Sequence, residues 1–346
     1  MSIEESSVLI LQGGGALGAY ELGAAQRLYE NEAFVPDLIA GVSIGAITAS
    51  LLARPARGLK PLEALENFWR EVSLSGWFLP APLRQYASVF GNPKFFAARL
   101  DFFDVTSWTN IYDLGPLRNT LEKLLDLEAL SDRNATPRLL MTATDVEAGQ
   151  IKSFDSRQCA LSLDHIIASS SLPPSFAMTV IDGIPYWDGG LFDNTPLGAV
   201  LDTLNDGPEV HRTIYVVNLF PNKAPIPRTM VEVAERTLNL QFANKTCEDL
   251  KLLVRFNEVA LLVEALDALP ADHFIKSSAG YRAVKKRGYV HVPRIIPITR
   301  PEQVGGFDGS DFSSEAINRR AAEGYAQTAQ ALLAANIPKP HDGAKI

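Results

Sequence analysis

The sequence predicts an α/β fold built on a mainly parallel central sheet, and two observations carry that expectation. Within about its first 50 residues the chain reads strand, glycine turn, helix, strand, turn, helix, the order that makes right-handed βαβ units. Short apolar runs bounded by turn residues then alternate with helical spacing along much of the remainder. A length of 346 residues suffices for one large domain with an insertion or for two domains.

Val8-Leu9-Ile10-Leu11 ends at Gly13-Gly14-Gly15 and reads as a buried strand entering a tight turn. Leu22, Ala25, Leu28 and Tyr29 then share one face of a helix. After Pro36, Leu38-Ile39-Ala40 is a second buried strand, and Ala46 to Leu52 a helix that starts directly after Gly45. From Gly76 to Asn110 the composition shifts. Trp77, Phe78, Tyr86, Phe90, Phe95, Phe96, Phe102, Phe103 and Trp108 crowd a stretch that also holds Pro80, Pro82 and Pro93, which reads as an aromatic-rich, cap-like insertion over residues 76–110.

Regular structure resumes with a helix around Leu117 to Leu125, a strand at Leu139 to Thr142, a paired edge at Ile151 to Phe154 and a short helix at Asp164 to Ser169. Met178 to Ile181 and Ile184 to Trp187, joined by Asp182-Gly183, predict a hairpin. Ile214 to Val217 is another buried strand. Thr229 to Leu266 predicts one broken helix or a helical hairpin, Ile295 to Ile298 a last strand, Glu315 to Ala335 a closing helix, and Pro338 to Ile346 a frayed tail. The expected organisation is a core over residues 1–220 and a helical C-terminal extension over 221–346 packing on it.

Composition narrows the function. A net charge of -8, from 32 basic and 40 acidic residues, argues against nucleic acid as a partner. It also argues against purely electrostatic docking on anionic lipid. Two cysteines, Cys159 and Cys247, make no disulfide framework or Cys-based zinc site. The acidic N-terminus and the short apolar runs match neither a signal peptide nor a spanning helix. The expectation is a soluble, cytoplasmic protein with at most transient contact at a membrane surface.

Chemistry concentrates in three places. Gly41-Val42-Ser43-Ile44-Gly45 is a G-x-S-x-G sequence between a predicted strand and helix, where a sharp turn holds a serine clear of the sheet as a nucleophile. The helix start beside it favours developing negative charge. Gly13-Gly14-Gly15-Ala16-Leu17-Gly18 follows the neighbouring strand, so its amides would lie in the same crevice and form an oxyanion hole. Gly13, Gly15 and Gly18 also spell the dinucleotide fingerprint, with Asp37 downstream. Asp37, however, stands at the near end of the second strand, where a ribose-binding acid would have to stand at the far end. The third place is Asp188 in Tyr186-Trp187-Asp188-Gly189-Gly190, at the end of a short strand. There a carboxylate in a partly dry site can take a serine proton directly. Asp-Gly is also ordinary turn chemistry. His211, His273 and His291 offer the other candidate bases, but none follows a strand into a turn.

Taken together these residues resemble the patatin-like phospholipase family, in which a G-G-G-x-x-G start, a G-x-S-x-G elbow and a downstream D-G-G occur in this order. Leu172-Pro173-Pro174-Ser175-Phe176 is similar to the family's pattern as well. The resemblance covers residues 8–220, and the C-terminal third is similar to extensions on bacterial members. It implies a three-layer α/β/α fold, lipid acyl hydrolysis without metal or cofactor, and a Ser–Asp dyad. By motif position Ser43 is the nucleophile and Asp188 the base. Gly13, Gly14 and Gly15 give the oxyanion-hole amides, and Gly18, Gly41, Gly45, Gly189 and Gly190 are the motif glycines. Leu17 departs from the pattern, since the family often carries Arg or Lys there. The substrate expected is a lipid or other acyl ester. The alternatives are an intracellular carboxylesterase on short acyl or polyhydroxyalkanoate-type esters, an acyltransferase, and a dinucleotide-binding protein. The aromatic stretch from Trp77 to Trp108 would bind acyl chains or bury its own rings as a cap. Arg54, Arg57 and Lys60 would meet phosphate head groups or end a solvated helix.

Overall fold

In the computed structural model, which describes residues 4–31, 34–75, 91–99, 101, 108–204, 210–221, 223, 225–287, 292, 294–301 and 308–335, alternate residues of strand β1 (Glu4–Leu11) serve opposite layers. Leu9 and Leu11 pack into one apolar cluster, Val8 and Ile10 into another. Both faces of the strand are therefore buried, and a strand covered on both faces reads as a continuous apolar run.

The first cluster holds helices α1 (Ala19–Tyr29), α2 (Ile44–Ala53), α3 (Pro61–Val72), α4 (Gly115–Leu124), α6 (Leu163–Ser169) and α10 (Ser314–Ala334). The second holds α7 (Leu197–Thr203) through Leu197 and Val200. Between them lies an eight-stranded sheet in the order β11-β10-β1-β2-β6-β9-β8, with β7 also on β6. These strands are β2 (Leu38–Gly41), β6 (Arg138–Asp145), β7 (Gln150–Asp155), β8 (Thr179–Ile181), β9 (Ile184–Asp188), β10 (Val210–Asn218) and β11 (Arg294–Thr299). β11, β10, β1, β2 and β6 run parallel, as the strand–helix alternation predicts. The result is a three-layer α/β/α fold.

Three differences from the sequence reading matter. The described part of the insertion includes β3 (Gly91–Asn92) and β4 (Phe96–Ala98), two strands of a small antiparallel sheet that β5 (Tyr112–Asp113) completes. Residues 76–90, 100 and 102–107, with Trp77, Phe78, Tyr86, Phe90, Phe102 and Phe103, lie outside the described residues, as does the tail from residue 336. The segment expected to break is one 38-residue helix, α8 (Met230–Asp267), about 57 Å long at 1.5 Å per residue. It holds no glycine or proline to stop it. The strand and closing helix expected beyond residue 221 do form, but the strand, β11, joins the central sheet as its edge and α10 lies against α1, so this part of the chain is not a helical extension alone. The two remaining helices are α5 (Leu127–Ser131) and α9 (Ala279–Arg287).

Contact between α1 and α10 is backbone to backbone. A Cβ on Gly324 would fall 2.0 Å from the Tyr20 carbonyl oxygen, and one on Gly23 1.7 Å from that of Ala321. Neither obstacle is the movable end of a side chain. Gly324→Ala is expected to destabilise the fold by about 1–3 kcal/mol, the usual overpacking cost, read as a lower midpoint of urea unfolding at unchanged slope.

Candidate active site

Five parallel strands send their carboxyl ends to one edge of the sheet, where the turns after β1 and β2 carry the glycine run and Ser43. β2 ends at Gly41, opposite Met141 of β6. Ser43 follows and caps α2, at φ 57° and ψ −126°. An L-residue rarely adopts that conformation, and holding it costs about 1–3 kcal/mol. The turn is tight enough that a Cβ on Gly41 would meet the Gly45 carbonyl oxygen at 2.1 Å, and one on Gly45 the Leu11 carbonyl oxygen at 2.4 Å. The Ser43 amide donates to Ser169 Oγ at 3.0 Å, whose hydroxyl donates to the Thr142 carbonyl at 2.8 Å. The elbow is thereby tied to β6, while the half-buried Ser43 side chain faces a cavity.

Register explains how Asp188 arrives there. β7 occupies one side of β6 from Leu140 to Asp145. On the other side β2 ends opposite Met141, and β9 takes over with Asp188 opposite Ala143. The strand carrying the acid thus ends, at Asp188, beside the point where the strand carrying the serine leaves the sheet. Asp188 is buried. Its Oδ1 accepts the Gly190 amide at 2.8 Å, and its main chain is held by Ser171 at 3.0 Å and Thr144 at 2.9 Å. Burial pushes the carboxyl from 3.8 up to about 7, against the lowering pull of hydrogen bonding from Ser43 and Gly190. No described residue satisfies Oδ2 with full hydrogen-bond geometry. The Ser43 hydroxyl is near enough to act on the carboxyl, lowering its pKa against the effect of burial.

The glycine turn after β1 completes the edge. Gly13 donates to the Asn194 carbonyl at 3.2 Å, and Asn194 Nδ2 returns a bond to the Gly13 carbonyl at 3.0 Å. The Gly14 and Gly15 amides have no acceptor among the described residues. Gly15 sits at φ 56° with its α-carbon against the Gly309 carbonyl. Gly18 packs on Ile44, and Gly189 on Thr142. The expected motif glycines therefore stand at close approaches in the three turns that meet at this edge, but the Gly13 N–H is already engaged.

Ser43, Asp188 and Gly13 to Gly15 line a common cavity of about 600 Å³. Phe95, Phe96, Phe176, Phe242 and Phe312 make much of its wall. Phe96 meets Phe95 edge-on at 5.9 Å, and Tyr112 and Phe176 at 4.9 and 5.8 Å, so part of the aromatic insertion both packs on itself and faces the cavity. Arg54 turns inward and donates to the carbonyls of Ala53, Ala129 and Ala135. Arg57 pairs with Asp126 and Glu128. Both stand beyond the far end of α2, about 15 Å from the elbow, which removes them as head-group contacts.

No described histidine lines the cavity. His165 accepts the Ser162 amide at 3.0 Å and packs on Phe154, and burial lowers its pKa. His273 caps a short turn. His211 pairs with Glu5 at the amino end of β10, some 20 Å of strand from the carboxyl edge. The His211 side chain, His291 and His341 lie outside the described residues. Asp37 is likewise at the amino edge, receiving the Ser7 amide at 3.0 Å, away from the glycine turn. Among the described residues no group of three or more His, Cys, Asp or Glu side chains is placed to hold a metal ion. No described helix is long and apolar enough to cross a membrane.

The family model for patatin-like phospholipases matches residues 9–201, more than half of the chain. No curated protein matches the sequence. A crystal structure of VipD from Legionella pneumophila aligns with a TM-score of 0.43 at 15% identity, over 96% of this chain and 67% of that one. The family match ends before Phe220, Phe242 and Phe312, so part of the cavity wall lies outside it. No sequence motif marked those residues, nor Asn194, as neighbours of the glycine turn.

Proposed function

The chain belongs to the patatin-like phospholipase family, and on that premise we propose that it hydrolyses carboxylic ester bonds of lipids through Ser43 and Asp188. The observation that carries the reading is the buried Asp188, with a pKa raised to about 7, lining the same apolar cavity as the strained Ser43.

In the first half-reaction Asp188 takes the Ser43 proton as Oγ attacks the ester carbonyl. Charge then develops on the carbonyl oxygen, and the Gly14 and Gly15 amides are the donors left to receive it. Each such donor is worth roughly 100- to 1000-fold in rate. Collapse breaks the ester C–O bond, Asp188 returns its proton to the departing alcohol, and the acyl group stays on Ser43. A water then loses a proton to Asp188 and attacks the acyl-enzyme. The Ser43 oxygen leaves with that proton, and a free acid is released. A carboxyl that titrates near 7 is matched to this exchange at neutral pH.

The cavity's apolar wall favours fatty chains over short acyl groups. Ile111 and Leu238 line it while remaining 46% and 47% exposed, so the opening is itself apolar and suits substrate presented at a lipid surface. Wild type is therefore expected to release free fatty acid from phosphatidylcholine vesicles and to hydrolyse decanoyl ahead of acetyl nitrophenyl ester. Cleavage of the acetyl ester alone would reject the lipid reading, and acyl transfer to an added alcohol in place of free acid would reject hydrolysis.

A further inference from the structure

We infer that Arg320, in the C-terminal helix and more than a hundred residues past the end of the family match, is a positioning residue for the oxyanion turn. Its guanidinium is fully buried, and a buried cation is tolerated only where polar partners receive it. Two partners are main-chain carbonyls on separate segments. Nη1 donates to the Ala16 carbonyl at 3.2 Å and to the Asp311 carbonyl at 2.7 Å.

Both segments bear on the site. Ala16 lies in the single turn Gly15–Gly18, closed by the Leu17 amide on the Gly14 carbonyl at 3.1 Å. Fixing the Ala16 carbonyl fixes the turn whose first peptide planes aim the Gly14 and Gly15 amides. Asp311 belongs to the segment whose Gly309 carbonyl lies against Gly15 and whose Ser310 and Phe312 line the cavity. That segment is stitched to the core where Leu74 donates to the Phe312 carbonyl at 2.8 Å. One nitrogen thus holds the glycine turn and its backing together.

The position of Arg320 is itself set closely. Gly324, one helical turn further along α10, touches the Tyr20 carbonyl, and Ala321 touches Gly23. α10 consequently has little freedom to slide along α1, and the turn inherits that rigidity. Donors to an oxyanion act only if they are already aimed, and misplacement of about 1 Å in such a site can cost roughly 100-fold.

The inference rests on the acyl-hydrolase reading above, and its test is steady-state hydrolysis of decanoyl nitrophenyl ester by full-length wild type, Arg320→Lys and Arg320→Met. Thermal melts read the folding of each. Because the oxyanion exists only after attack, the methionine variant is expected to lose about 10- to 100-fold in kcat with KM within about twofold. The lysine variant, whose ammonium still donates, should fall between it and wild type. A folded methionine variant with wild-type kcat, or with the whole loss in KM, overturns the inference. If the methionine variant does not fold, the lysine variant is judged by the same split. If neither folds, Arg320 is a folding residue and the inference fails. An inactive wild type overturns the hydrolase reading and this inference together, whereas an active wild type beside a fully active methionine variant overturns this inference alone.

Discussion

Ser43→Ala is expected to abolish ester hydrolysis, with a fall in kcat on the order of 10⁶-fold, the scale found when a nucleophilic serine is removed. The fold should survive. What ties the elbow to the sheet is the Ser43 amide on Ser169 and the Ser169 hydroxyl on Thr142, and alanine keeps the first and leaves the second untouched. Alanine also inherits the strained φ of 57°, so no relief of strain offsets the change. The comparison is kcat for the two proteins beside their melting temperatures. Residual turnover within about tenfold of wild type in a folded variant would mean that another group attacks the ester.

Asp188→Asn should lower kcat by about 10²- to 10⁴-fold, the range for loss of a general base, and should also change stability in a way that depends on pH. The carboxyl titrates near 3.8 when exposed, whereas burial raises it to about 7 in the folded chain. The folded state therefore holds a proton that the unfolded state has lost between those values. The contribution is whole below pH 4, is lost as pH rises through 7, and by pH 8 amounts to a destabilisation of about 4 kcal/mol, at 1.36 kcal/mol per unit. A neutral amide is free of that loss. Asp188→Asn is thus expected to melt above wild type at pH 8, with the gap closing toward pH 4. The same titration should appear in wild-type kcat/KM as a rise with pH through an inflection near 7, since the base works only when ionised. A pH-independent difference in melting would show that the carboxyl is not held neutral by its surroundings.

Much of this was legible in the sequence because each signal was local. A short apolar run ending in glycines, and a serine between strand and helix, state their geometry within a few residues. The antiparallel hairpin around Asp182-Gly183 did the same, with both residues at positive φ. The Gly13 amide was not legible as engaged, because its acceptor is the Asn194 carbonyl, distant in sequence and free of any motif. Nor was Arg320, since an arginine amid helical spacing looks like any solvated residue until the helix is docked. Arg54 misled for the converse reason, as it is a cation whose acceptors are buried carbonyls. The stretch that forms α8 reads as one broken helix or a helical hairpin, although its 38 residues hold no glycine or proline that requires a break.

The central claim is that Asp188 alone activates Ser43, and covalent labelling tests it most directly. Wild type, Asp188→Asn and His165→Ala would be treated with a long-chain alkyl fluorophosphonate at pH 8, and the adduct located and timed by peptide mass spectrometry. The account predicts a single adduct on Ser43 in wild type and His165→Ala at matching rates, and labelling slowed by at least about 100-fold in Asp188→Asn. Labelling of Asp188→Asn at the wild-type rate, or an adduct on a residue other than Ser43, would contradict it.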